Sequence, residues 1–128
     1  MERYFWLLSG INGFAAVALG AFGAHGLERW LSATDDVSRR LGWWHTASHY
    51  HLIHALAIAA AAYLVQKDPR VASVAGVCFQ LGILLFSGSL YLMTLSGIRW
   101  LGAITPIGGL LLLLGWAAVA LSGFRVGG

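Results

Sequence analysis

Histidine is the residue type in this sequence best suited to chemistry, and four of the five histidines fall within ten residues of one another. His45, His49, His51 and His54 form this group, and His25 lies well upstream. Imidazole titrates near neutral pH and is a ligand for zinc, copper and haem iron. The group therefore suggests proton relay or metal binding, if the fold brings a further ligand close to it.

Helical spacing divides these histidines into two pairs. At about 100° per residue, His51 and His54 lie about 60° apart on one face, whereas His45 and His49 lie about 40° apart on another. The candidate metal ligands are His25, His51 and His54. Their spacing matches no recognised metal motif, and no cysteine or carboxylate accompanies them. Hydrogen bonding across a helix bundle is therefore the favoured role, and no cofactor is expected.

The chain that carries these histidines is unusually apolar. Of its 128 residues, 59% are hydrophobic and 10% are charged, whereas about 25% are charged in a typical soluble domain. A chain this short cannot bury so much apolar surface in one soluble core. The composition therefore predicts a membrane protein of the all-α class.

Four membrane spans are predicted, and they form a four-helix bundle in a single domain. The spans cover about residues 4–24, 47–66, 71–95 and 106–124, since about twenty apolar residues cross a bilayer as a helix. The first run is too long for a signal-peptide core and is expected to be retained.

The connection between the first two spans, residues 27–44, combines three tryptophans with acidic and basic residues. This pattern predicts an amphipathic segment in the headgroup layer. Thr34 is the expected N-cap of a helix in which Asp35–Arg39 and Asp36–Arg40 form ion pairs. Gly42 is expected to be a weak point where this segment enters the second span.

The alternation of four spans predicts a polar site in one half of the membrane. It places the end of the first span, the start of the second, the end of the third and the start of the fourth on one side. Polar side chains at membrane depth usually face the bundle interior. The candidate site residues are His25, Tyr50, His51, His54, Ser87, Ser89 and Thr105.

Several functional classes are excluded or disfavoured. No nucleophile–base motif or phosphate-binding loop is present, so no enzymatic activity is predicted. The eight basic residues form no dense stripe of the kind that nucleic acid requires. They divide four to four between the two sides of the membrane, and the N-terminal amine only slightly favours termini in the cytoplasm. Cys78, the single cysteine, is expected to be a packed and inert thiol.

Four blocks of the sequence resemble a known family. They are Gly20-Ala-Phe-Gly-Ala-His-Gly-Leu27, Tyr50-His-Leu-Ile-His54-Ala-Leu56, Leu85-Phe-Ser-Gly-Ser-Leu-Tyr91 and Ile104-Thr-Pro-Ile-Gly-Gly109, the last followed by Gly115-Trp116. In this order they are similar to the family called domain of unknown function 423. The resemblance implies a small four-helix, multi-pass protein of the bacterial inner membrane, and it implies no reaction. His45 and His49 lie outside these blocks.

Three hypotheses follow from these patterns. The first is a structural or accessory membrane component, surrounded by lipid and acting as a homo-oligomer or as a subunit of a larger complex. The second is a small transporter or channel through the polar half, although no carboxylate lies at membrane depth to couple ions. The third is a metal or haem protein that uses His25, His51 and His54.

Overall fold

The computed structural model describes residues 1–126, and this part of the chain is helical with no β-strand. The α-helices are α1 Glu2–His25, α2 Leu27–Trp30, α3 Val37–Leu64, α4 Pro69–Ser96 and α5 Thr105–Val126. A short 3₁₀ helix, Arg99–Ala103, precedes α5. The predicted all-α class is confirmed.

The four long helices pack in chain order. α1 packs against α3, α3 against α4, and α4 against α5, while only a few residues of α5 approach α3. Short connections make each of these neighbours antiparallel. α3 and α4 are therefore the inner helices, and α1 and α5 are the outer ones.

In the described part of the chain, three helical segments are long and apolar enough to cross a membrane: Glu2–His25, Pro69–Ser96 and Arg99–Arg125. α3 has 28 residues and is as long as α4, but its four histidines lower its hydropathy. Because α3 lies between α1 and α4, protein rather than lipid covers much of its polar surface. A membrane crossing by α3, the second predicted span at 47–66, remains a prediction.

The connection from α1 to α3 is amphipathic but shorter than expected. Leu27 and Leu31 are buried against Trp44, whereas Trp30 is 60% exposed. α3 already begins at Val37 and continues without a break through Gly42. A single helical glycine costs only about 1 kcal/mol relative to alanine, and packing of the neighbouring Trp44 offsets that cost.

The start of α3 is held by charge rather than by the predicted threonine cap. The Thr34 hydroxyl donates to the Leu31 carbonyl at 2.8 Å, and Asp36 is the N-cap residue. Asp36 accepts from the Arg40 guanidinium at 2.7 Å, as the spacing predicts, and lies 3.8 Å from Arg99. The predicted pairing of Asp35 with Arg39 is not formed in the described structure, where both residues are exposed.

Arg40 also fastens α3 to the end of α4. Its guanidinium donates to the Thr94 carbonyl at 3.2 Å, and the Thr94 hydroxyl lies 3.2 Å from the Arg40 carbonyl. Gly97, with φ 74°, ends α4 directly beneath the Arg40 side chain, where a Cβ atom has no room. Glycine is favoured here because it alone adopts this left-handed conformation without strain.

Of the apolar clusters in the described residues, the largest lies beyond the histidines, toward the end of α3. Alanines of α3, including Ala57 and Ala61, pack with Phe5 of α1 and Phe79 of α4. Gly76 of α4 leaves space for the ring of Phe5. In a membrane, small residues of this kind stabilise a bundle by letting helix backbones approach closely.

Glycines bring α4 and α5 into close contact. Gly108 lies on the backbone of Phe86, and Gly115 lies on the ring of Phe79. Gly82 of α4 makes the reciprocal contact with the Leu112 side chain. At Gly108 the nearest atoms belong to the backbone of α4, so no side chain fits there without moving one helix away from the other.

We expect Gly108→Ala to lower the free energy of unfolding by about 1–3 kcal/mol, because the added methyl group meets the Phe86 backbone, which cannot yield as a side chain can. Gly109→Ala is the matched control. Its Cβ would lie 3.7 Å from the nearest Phe86 ring atom, which is an ordinary contact. Because alanine has a higher helix propensity than glycine, the free energy of unfolding should stay unchanged or rise slightly. Thermal unfolding in detergent micelles measures both variants, and equal loss in the two would contradict the proposed helix contact.

Candidate functional site

His51 lies at the centre of a hydrogen-bond chain that connects three helices. Its side chain on α3 is 6% exposed. The ring Nε2 lies 3.1 Å from Oδ1 of Asn12 on α1, and Nδ1 lies 3.1 Å from the hydroxyl of Tyr91 on α4. Asn12 continues the chain to Gln80 of α4 at 2.8 Å.

The partners of Asn12 determine where the protons of this chain lie. Its Nδ2 donates to the Leu8 carbonyl at 2.8 Å as well as to Gln80. A backbone carbonyl only accepts, so Oδ1 of Asn12 must accept from the His51 Nε2–H. With one ring proton placed there, neutral His51 accepts at Nδ1 from the Tyr91 hydroxyl. Both ring nitrogens of His51 are thus engaged.

His54 forms a second bridge, from α3 to α5. The indole N–H of Trp116 donates to His54 Nε2 at 3.1 Å, and His54 Nδ1 lies 2.7 Å from the Tyr50 carbonyl. Because an indole nitrogen can only donate, Nε2 is an acceptor and the ring proton is on Nδ1. His54 is therefore neutral in this arrangement, and neither of its nitrogens is free.

The predicted hydroxyl residues also connect neighbouring helices. Ser87 of α4 donates to the Ala47 carbonyl of α3 at 2.8 Å. Ser89 of α4 lies 2.6 Å from the hydroxyl of Thr105, the first residue of α5. These hydrogen bonds lie between helices that already pack together, so they fix how far each helix slides along its neighbour.

Two of the predicted site residues lie elsewhere. His25 is exposed at the end of α1, and Tyr50, 41% exposed, faces outward with its ring 4.6 Å from that of Phe86. Within the described residues, no three His, Cys, Asp or Glu side chains gather into a possible metal site. His25, His51 and His54 are thus not brought to one point, because His51 and His54 are directed toward different helices.

Four residues outside the predicted site complete these bridges: Asn12, Gln80, Tyr91 and Trp116. Asn12 of α1 contacts both inner helices, through His51 of α3 and Gln80 of α4. The available signal was that amides are rare at membrane depth. Trp116 carried no such signal, because tryptophan more commonly anchors a helix at the membrane surface.

The hydrogen-bond chain centred on His51 does not continue through the bundle. Beyond it lies the apolar core, in which Phe79, Ile58 and Ala61 are fully buried. These side chains separate His51 and Gln80 from the opposite end of the described helices. The arrangement therefore gives no support to the transporter or channel hypothesis.

Comparison with known proteins identifies relatives over nearly the whole chain. The family described as protein of unknown function (DUF423) matches residues 19–109. The UPF0382 membrane protein YwdK of Bacillus subtilis is 41% identical over 125 residues, covering 96% of this chain and 98% of that protein. The UPF0382 inner membrane protein YgdD of Escherichia coli is 38% identical over 126 residues, covering 98% and 92%. No solved structure matches the chain.

We expect Asn12→Leu to lower the free energy of unfolding by about 1–2 kcal/mol, since the His51 Nε2–H then loses its buried acceptor. Gln66→Leu is the matched control, because it removes an amide that contacts Glu2 at 3.1 Å in an exposed position. Its expected cost is below about 0.5 kcal/mol. Thermal unfolding in detergent micelles measures the stability of both variants. Equal destabilisation by Gln66→Leu would contradict the proposed role of the buried hydrogen bond between Asn12 and His51.

Proposed function

The chain belongs to the DUF423 family of membrane proteins, and from this membership we propose that it is a structural or accessory component of the bacterial inner membrane. Its relatives carry names that state a membrane location and no reaction. The proposed action is through helix packing, with the buried histidines holding the helices in register rather than taking part in catalysis.

One observation carries this proposal: every ring nitrogen of the two buried histidines already has a partner within the bundle. A metal ion at either residue would have to displace Asn12, Tyr91 or Trp116, or the Tyr50 carbonyl. In a membrane interior the displaced group has no water to replace its lost partner. Interhelical hydrogen bonding therefore accounts for both histidines more simply than metal or haem binding does.

The proposed contact surface for a partner is the outer face of α1. Only 17% of the α1 span is buried, compared with 44% of the α4 span. Phe14 is 80% exposed on this face, and a Cβ atom added at Gly10 or Gly13 would meet nothing within 4 Å. Close approach of another helix is possible where such small residues are uncovered. A second copy of the chain, or a subunit of a larger complex, is the proposed partner.

If the buried histidines act only in helix packing, removal of metal ions should leave the thermal stability of the protein unchanged. Purified protein is expected to carry no stoichiometric metal, and a chelator should not alter its thermal unfolding. His54→Gln is the control. It disturbs the bridge to Trp116, so it should lower the unfolding temperature equally with and without chelator. A stabilising metal that the chelator removes would contradict the proposal.

A photoreactive residue in place of Phe14 tests the partner surface in native membranes. We expect a discrete protein adduct, because the α1 face is proposed to contact another helix. An adduct of twice 13.7 kDa identifies a second copy, and a different discrete mass identifies another subunit. The same residue at Leu84, 58% exposed on α4, is the control position. Recovery of monomer alone at Phe14 would refute an accessory role through this face.

A further inference from the structure

A groove of about 700 Å³ runs between α3 and α5, and we name it the α3–α5 groove. Phe86 of α4 contributes to its wall. The rest of the lining comes from α3, including Tyr50 and His54, and from α5, including Pro106, Gly109, Leu113 and Trp116. The structural or accessory role proposed above does not use this groove.

The groove exists because α5 is drawn toward α4. Gly108 and Gly115 bring α5 into direct contact with Phe86 and Phe79 of α4, whereas few of its residues approach α3. The hydrogen bond between Trp116 and His54 joins α3 to α5 at the inner end of the groove. Toward the start of α5 the two helices remain apart.

The length of the groove corresponds to one leaflet. From Pro106 to Trp116, α5 advances about 15 Å at 1.5 Å per residue. The hydrocarbon core of a bilayer is about 30 Å thick, and Trp116 lies near the middle of the 22-residue α5. The groove therefore extends from the membrane surface at the histidine-rich end to about the bilayer centre.

Polar groups lie only at particular points along the groove. Its walls are mainly apolar, with Ile53, Leu110 and Leu113 among them. At the inner end, His54 and Trp116 satisfy one another. His49 and Tyr50, the outermost lining residues of α3, are exposed, and their polar side-chain atoms make no hydrogen bond within the described part of the chain. They mark the outer end of the lining that α3 contributes to the groove.

The depth of the groove distinguishes between the possible occupants. A partner helix that crosses the membrane needs a contact surface about 30 Å long, whereas the groove ends at the hydrogen bond between His54 and Trp116. Water is disfavoured because apolar cavities of this kind stay dry. A hydrocarbon chain is narrower than a helix, ends within one leaflet and matches the apolar walls.

We propose that the α3–α5 groove holds one acyl chain of a membrane lipid, which enters from the His49 and Tyr50 side and ends at His54 and Trp116. This site differs from the general lipid coat of a helix bundle because its depth is closed by His54 and Trp116, so binding is saturable.

Photoreactive lipid in reconstituted vesicles tests this proposal with the full chain. The probe is phosphatidylethanolamine with a diazirine in the middle of one acyl chain, diluted into unlabelled phosphatidylethanolamine and phosphatidylglycerol. After photolysis, we expect adducts concentrated at residues 110–116 and 50–54 that saturate as the probe fraction rises. Adducts spread evenly over the outer faces of α1, α4 and α5 would overturn the proposal.

Gly109→Leu fills the groove and should reduce these adducts by about tenfold or more, since several methylene contacts are lost. The added Cβ lies in ordinary contact with Phe86, with 3.7 Å to the nearest atom. Gly123→Leu on the same helix is the matched control, because a Cβ there meets nothing within 4 Å, and it should leave the labelling unchanged. Equal thermal unfolding of the two variants verifies that both are folded, and unchanged labelling of folded Gly109→Leu would overturn the site.

A photoreactive residue in place of Leu113 separates lipid from protein as the occupant. Lipid adducts at this position support the acyl-chain site, whereas a covalent dimer would show that a second copy fills the groove and would overturn it. The result is independent of the α1 crosslink, since Leu113 lies on α5. If the groove proves not to bind lipid, the proposed accessory role is still tested separately by the crosslink at Phe14.

Discussion

No water reaches the middle of a bilayer, so each buried polar group of this chain has to find its partner inside the bundle. The inner helix α3 carries the most demanding of these groups, the imidazoles of His51 and His54. Asn12 and Tyr91 satisfy the first, and Trp116 and a backbone carbonyl satisfy the second. In the part of the chain whose side chains are described, the hydroxyl of Ser122 is the only buried side-chain polar atom without a partner.

These hydrogen bonds and the glycine contacts have complementary effects. The glycines allow close approach, since Gly108 and Gly115 set α5 directly on α4, and van der Waals packing then stabilises the pair. Packing of small residues alone leaves helices free to slide. The hydrogen bonds of His51, Ser87 and Ser89 are directional and fix the register. The α3–α5 groove follows from both effects, because α5 lies directly on α4 and few of its residues approach α3.

The sequence predicted the helical class, the membrane location and much of the polar set, and each prediction had an identifiable physical basis. Apolar runs of about twenty residues are long enough to cross lipid. His51, His54, Ser87, Ser89 and Thr105 were selected because polar side chains in such runs face inward. Tyr50 and His25 were selected by the same rule and lie at exposed positions, since the rule locates a residue in depth but not around the helix axis.

The sequence by itself thus determined that the chain is a membrane protein of helices, and which histidines share a helical face, because hydropathy and 3.6-residue periodicity are properties of one helix at a time. Only the tertiary structure decided the partners. That Asn12 meets His51, that Trp116 donates to His54 and that α5 leaves a groove beside α3 depend on the rotation and displacement of whole helices against one another. Those quantities result from side-chain contacts between segments far apart in the chain, such as Gly108 on Phe86, which no local pattern contains.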